Sequence, residues 1–244
     1  MLAGLGFGGT VYAEPVANQA SAPTVTVTTE IETLLADRDS ALGILVAQIP
    51  ELRTPIEARL RAAGEVGGVM SMRDEAFRVG WEYGQRYMAR FANAADGAAL
   101  LSFLRALDGI VTKMHDAGAV DCFNWMFGAE PLDLDKVGIT IADVTALNDG
   151  IIAVIRSGAA GQPAPQRKET AALISEVVAR ASAKTKGFES GWAAMGNPHS
   201  VTSDHDKAGV CKAVKALYDE ILALPMDDAV AVSRVLFGKE APNQ

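Results

Sequence analysis

Apolar residues recur along this chain in steps of four and three. Leu100, Leu104, Leu107, Val111 and Met114 form one such row, and Val210, Val214, Leu217, Ile221 and Leu224 another. An α-helix turns once every 3.6 residues, so each row makes a single stripe that must be buried against another helix. Strand-like alternation occurs only over residues 24–28, a short stretch with no partner that more naturally leads into a helix. The expected fold is all-α, a bundle of about eight or nine amphipathic helices. With 49% hydrophobic and 21% charged residues the chain has ample material for a core.

Punctuation places the helices. Thr29 and Glu32 read as a capping box for a first helix carrying Ile31, Leu35, Leu42, Leu45 and Ile49, with Arg38 in its seam and Pro50 at its end. Thr54, Pro55 and Glu57 open a second helix, which runs to about Ala63 and into a loop marked by Gly64, Gly67 and Gly68. A third, from about Met72 to Asn93, carries Phe77, Trp81, Gly84, Met88 and Phe91 on one face, widened by Tyr83 and Tyr87. Gly80 and Gly84 would let a neighbouring backbone come close. Asp96 reads as the cap of the fourth helix and Gly118 as its stop.

A short helix with Cys122, Trp125 and Phe127 stops at Gly128, and an acidic connector follows at 130–135. Thr140 and Asp143 open the next helix. Residues 157–166 are small, polar and proline-containing, as in a linker. A helix from about Gln166 to Lys186 is expected to turn Leu173, Ile174, Val177 and Val178 inward. Residues 187–203 have no sustained period; Ser203 and Asp206 then begin a helix broken by Pro225, and Asp227 caps a last one ending at Gly238. Residues 23–244 form one helical domain, which the linker could divide into halves 29–156 and 167–238.

Residues 1–22 read as a signal-peptide remnant and tail. Residues 1–13 are apolar and small, ending in Val11, Tyr12 and Ala13 in a small-residue cleavage pattern, with a second at Ala20, Ser21 and Ala22. The usual basic segment is missing, since no Lys or Arg precedes Arg38. The run is too short to span a bilayer, and no transmembrane helix is expected in the mature chain. The expected location is periplasmic or secreted. In that setting Cys122 and Cys211 form either one disulfide or two separate buried thiols.

The net charge of −8 argues against nucleic acid or an anionic membrane surface as partner. Phosphate-cradling, zinc-protease, Cys-x-x-Cys and EF-hand motifs are absent, and Ser190 is displaced from the centre of a nucleophile elbow. Three constellations remain. His199, Asp204 and His205, in a loop meeting a helix start, have the donor types of a Zn²⁺ site, although acids there also serve as caps. Arg105, Asp108, Thr112 and His115 form a polar stripe on the fourth helix, too widely spaced for Asp108 to orient His115 directly. Phe188, Trp192 and Met195 could anchor a partner or a ligand, or tuck beneath their own loop.

The reading favoured is an exported helical binding or accessory protein acting through another protein, such as an inhibitor or immunity-type factor, with no cofactor. The alternatives are a metal-dependent helical enzyme using the His199/His205 region, or capture of a small ligand among Trp81, Tyr83, Tyr87 and Trp125.

Overall fold

The computed structural model describes residues 26–127, 137–162 and 168–238, without the side chains of Phe77, Trp81 and Gln85. The signal-like segment, Gly128, the acidic connector and residues 163–166 of the expected linker lie outside these. Among the described residues all regular structure is helical: α1 (Val27–Ala36), α2 (Ala41–Gln48), α3 (Arg53–Ala92), α4 (Gly97–Ala117), α5 (Ala119–Phe127), α6 (Ile141–Ala160), α7 (Thr170–Lys184), α8 (Glu189–Ala194), α9 (Asp204–Leu222) and α10 (Met226–Phe237). Short 3-10 turns stand at Pro50–Leu52 and Pro198–Ser200. The all-α reading holds. Because α3 reverses on itself, these ten elements make eleven rods, two more than the nine that the periodicity yields.

One extra rod comes from the N-terminal helix, which is two. Thr26, not Thr29, caps α1, its hydroxyl accepting from the Thr29 N–H. The break falls at residues 37–40, where Asp37 Oδ1 accepts from the Asp39 N–H and the Ser40 hydroxyl donates to the Asp37 carbonyl. Such local bonds compete with the helical ladder. Ser40 then caps α2 by accepting from the Gly43 N–H, and Arg38 donates to the Gly43 carbonyl from the turn. The other extra rod is α8, inside the stretch that has no period of its own.

The expected glycine loop shrinks to a single residue. The first arm of α3 continues through Gly64 and Gly67, and the chain reverses at Gly68 (φ 70°, ψ −163°), a conformation that glycine adopts without a Cβ penalty. Ion pairs fix the direction of travel. Arg59 Nε donates to Glu75 Oε1 at 2.9 Å and its Nη1 to Glu82 Oε2 at 2.7 Å. On a straight helix these partners would stand about 24 and 35 Å away. Arms 53–67 and 69–92 therefore lie side by side as a hairpin, with Ile56 and Leu60 buried in the same apolar core as Met72, Ala76 and Val79. Glu75 is buried with Arg59 and Arg78 as partners, and buried Glu30 of α1 takes Arg73 at 2.6 Å. Gly80 faces the backbone of Leu42 and Gly84 faces Ile151, so α2 and α6 lie on the glycine side of the second arm.

α4 is shared by two apolar clusters. Leu100, Phe103, Leu107 and Val111 join the large core built on α1, α2, α3 and α6, whereas Leu101 and Leu104 join a smaller one with Val177, Leu217, Ile221 and Val230. Asp96 stands at the head of α4 but its carboxylate makes no capping bond; its N–H donates to the Ser157 hydroxyl. Ser157 thus belongs to α6, which runs through Ala160 into the span expected to be linker. Asp227 lies in the first turn of α10, where Pro225 holds the cap position. Arg234 of α10 donates to the Ala95 carbonyl at 2.9 Å, and Asn93 donates to the Gly238 carbonyl. No helix among the described residues is long and apolar enough to cross a membrane.

Cys122 of α5 and Cys211 of α9 are joined in a disulfide that closes a separation of 89 residues, with both cysteines fully buried. In the chain-entropy account, a loop of this length restricts the unfolded ensemble by about 4–5 kcal/mol. Urea unfolding with and without reductant should show the reduced protein less stable by about 3–5 kcal/mol. Coincident curves would mean that the bridge constrains nothing that the fold does not already hold.

Candidate functional site

Two of the sequence constellations meet on one surface. The His205 ring at the start of α9 stacks on Phe188 just ahead of α8, with centroids 5.0 Å apart and planes 14° apart. Lys212 Nζ stands 3.6 Å from the centroid of the same Phe188 ring, a close cation–π contact. Trp192 is half-buried; its indole N–H donates to the buried Thr185 hydroxyl at 2.7 Å, and it packs on the smaller core. Met195 touches both apolar clusters. Beneath them α8 meets α9 glycine to glycine: a Cβ on Gly191 would lie 2.2 Å from the Gly209 carbonyl carbon. Phe188, Trp192 and Met195 are thus engaged in holding α8 onto α9.

The three candidate metal ligands do not converge. Exposed His199 sits in its own 3-10 turn, Asp204 is exposed in the first turn of α9, and His205 is committed to Phe188, with Nδ1 3.7 Å from Asp206. Consecutive helical positions diverge by about 100°, which separates Asp204 from His205. Among the described residues no group of three or more His, Cys, Asp or Glu could hold a metal ion. Asp206 acts instead as a helix-start acid: hydroxyls of Ser190 and Ser203 keep its carboxyl below the usual carboxylate range.

The polar stripe on α4 divides. Arg105 is exposed, Thr112 is half-buried, and His115 pairs with its neighbour Asp116 at 3.2 Å, away from Asp108. Asp108 faces α9, where its Oδ1 is buried without a hydrogen bond and lies 3.8 Å from Lys215 Nζ. Lys215 gives its short contact, 2.6 Å, to Asp219. Burial outweighs the Lys215 charge and pushes the Asp108 carboxyl up. Burial likewise raises the Tyr218 hydroxyl, with the Asp108 charge adding to it.

The aromatic face of the second arm of α3 is largely core. Tyr83 is buried, and half-buried Tyr87 stacks on it at 6.2 Å, with Arg86 over Tyr83 at 5.1 Å. Trp125 packs on the same core from α5; the Trp81 side chain lies outside the described residues.

The surface that sequence reading missed is the tip of the α3 hairpin. Val66 is 92% exposed and Met70 is 70% exposed, one on each side of Gly67 and Gly68. Among the described residues the other strongly exposed large apolar side chains, Ile141 and Met226, are each the first residue of a helix. Along the first arm, Thr54, Glu57, Ala58, Arg61, Ala62 and Glu65 line a shallow, open depression. Nearby arginines pair within the chain, Arg61 with Glu57, Arg73 with Glu30, Arg59 with Glu75 and Glu82, and exposed Arg78 with the same Glu75. Glu65 and Asp74 are exposed and have no ion-pair partner among the described residues. The signal was present as Val66 and Met70 flanking the glycine pair, but apolar residues in a presumed loop carry no period. Compared with protein-family models, curated proteins and solved structures, the chain matches none.

Two buffer-dependent stabilities follow, with opposite signs. The raised Asp108 carboxyl costs stability at neutral pH, and that cost is relieved as pH falls through its folded value. Asp108→Asn should therefore stabilise at pH 7 by up to about 1 kcal/mol, with the gain gone once both states are protonated. Asp143, held at about 2 chiefly by Lys113 and by the hydroxyl and N–H of Thr140, contributes stability above pH 3.8 that is lost towards pH 2. Asp143→Asn should cost about 1 kcal/mol at pH 7, a cost that shrinks as pH falls through about 2 and is gone below it. Denaturant titrations at several pH values check both, and equal signs at pH 7 would contradict the assignment.

Proposed function

We propose that this protein is an exported helical binding or accessory protein, acting by contact with another protein in the manner of an inhibitor or immunity-type factor. The observation that carries this reading is the apolar pair at the hairpin tip. Exposed Val66 and Met70 share one supported projection, and large exposed apolar side chains grouped on a rigid element are the usual material of a protein contact. The tip has the support an anchor needs: Arg59 ties the arms together below it, and buried Glu30 and Glu75 tie the second arm to α1 and to the first arm. Binding then requires little ordering of the contact surface.

A periplasmic or secreted setting fits the same reading. A fully buried disulfide between α5 and α9 is stable in an oxidising compartment and rare in a reducing one. The acidic balance of −8 favours a partner of opposite charge and speeds the encounter.

A photo-crosslinking amino acid at position 66, in the full chain with its disulfide intact, tests the proposal in an envelope extract. One discrete adduct is expected at 66, and none when the crosslinker replaces exposed Asp149 on α6. Val66→Ser combined with Met70→Ser should weaken capture about tenfold or more. Equal crosslinking at 66 and 149, or none at either, would overturn the binding reading.

A further inference from the structure

We infer that Met70 is an oxidation site, and that adding one oxygen to its thioether switches off contact at the α3 tip. The inference rests on the binding reading above and names how that contact is regulated. Both cysteines are bonded to each other inside the molecule, so no thiol stands ready to react first with a two-electron oxidant such as a peroxide. The thioethers remain, and burial ranks them. Met72, Met88 and Met114 are buried, Met126 and Met195 are half-buried against the core, and Met1 lies outside the described residues. Among the described methionines, Met70 at 70% exposure and Met226 at 60% are the two open to a solute. Met226 is the first residue of α10, whereas Met70 stands across the Gly67–Gly68 turn from Val66, in the proposed contact.

The chemistry is a transfer of one oxygen atom. A peroxide passes its outer oxygen to Sδ of Met70: the O–O bond breaks, an S–O bond forms, the sulfur gives up two electrons, and the peroxide leaves as water or an alcohol. The product is a polar sulfoxide in place of an apolar, adaptable side chain. Its oxygen must be desolvated, or be given a donor, when a partner covers the tip. In the free protein the same side chain is already in water, so the fold is spared and the cost falls on the contact. A methionine sulfoxide reductase reverses the change: the oxygen leaves as water while two thiols of the enzyme join in a disulfide.

The full chain, disulfide intact, is treated with a limited dose of hydrogen peroxide, freed of the oxidant and mapped by peptide mass spectrometry. Met70 and Met226 should gain oxygen well before Met72, Met88 and Met114, with the urea midpoint unchanged. The same preparation, carrying the photo-crosslinking amino acid at position 66, is then offered to the envelope extract. Oxidation should lower its capture of a partner about tenfold. Methionine sulfoxide reductases acting on both epimers should restore capture. Met70→Leu keeps the apolar volume without the oxidisable sulfur and should capture equally with and without peroxide. Met226→Leu should lose capture on oxidation as the wild type does. Oxygen on Met72, Met88 or Met114 ahead of Met70, capture that survives the Met70 sulfoxide, or an equal loss in Met70→Leu would each overturn the inference. The two readings fail differently. Capture insensitive to the sulfoxide removes the switch and leaves the binding function, whereas no capture by the untreated protein removes the binding function and the switch with it.

Discussion

Arg59 reaches from one arm of α3 to Glu75 and Glu82 on the other, and the shape of the N-terminal part of the molecule depends on that contact. Gly68 allows the chain to reverse, but allowing is not holding. Glu75 is almost wholly buried, and a buried carboxylate stripped of its guanidinium is a costly group, by several kcal/mol. The reversed arrangement gives it Arg59 in addition to Arg78, which lies one turn along its own helix. Buried Ile56 and Leu60 then pack with Met72, Ala76 and Val79, so electrostatic and apolar demands agree on the same geometry. Val66 and Met70 are exposed as a consequence: they lie at the turn, beyond the reach of the core.

The remainder of the molecule is organised around α4, which turns one side to each apolar cluster. Its head is tied to α6 through Ser157 and its preceding turn to α10 through Arg234 and Asn93. The disulfide adds a covalent link between α5 and α9, and α9 also carries α8 through the Gly191–Gly209 contact. Buried Glu220 of α9 takes Lys184 and Arg180 of α7, repeating the device of Glu75: a buried acid on one helix held by cations from another element. These contacts give half-buried Phe188, Trp192 and Met195 structural work in seating α8.

Local rules were legible wherever they acted within one turn. Thr140 with Asp143 and Ser203 with Asp206 cap as read, and Gly118 and Gly238 stop their helices. Two kinds of information were not legible. At residues 37–40 side-chain bonds to the backbone outcompeted a continuous apolar period, splitting α1 from α2. The pairing of Arg59 with Glu75 and Glu82, or of Arg73 with Glu30, joins residues 16 to 43 positions apart, and no periodicity reports which of many charges will meet. The candidate site lies on that second kind of information. Val66 and Met70 become a surface only when the hairpin is closed beneath them.

The reversal of α3 is the claim on which the exposed tip and the proposed contact rest. Spin labels at Thr54 and Arg86, both exposed, measure it by pulsed dipolar spectroscopy. A hairpin whose arms pack at the usual helix spacing places the labels within about 20 Å of one another. A distribution centred near 48 Å, the length of about 32 residues of unbroken helix, would contradict the reversal and with it the proposed contact surface.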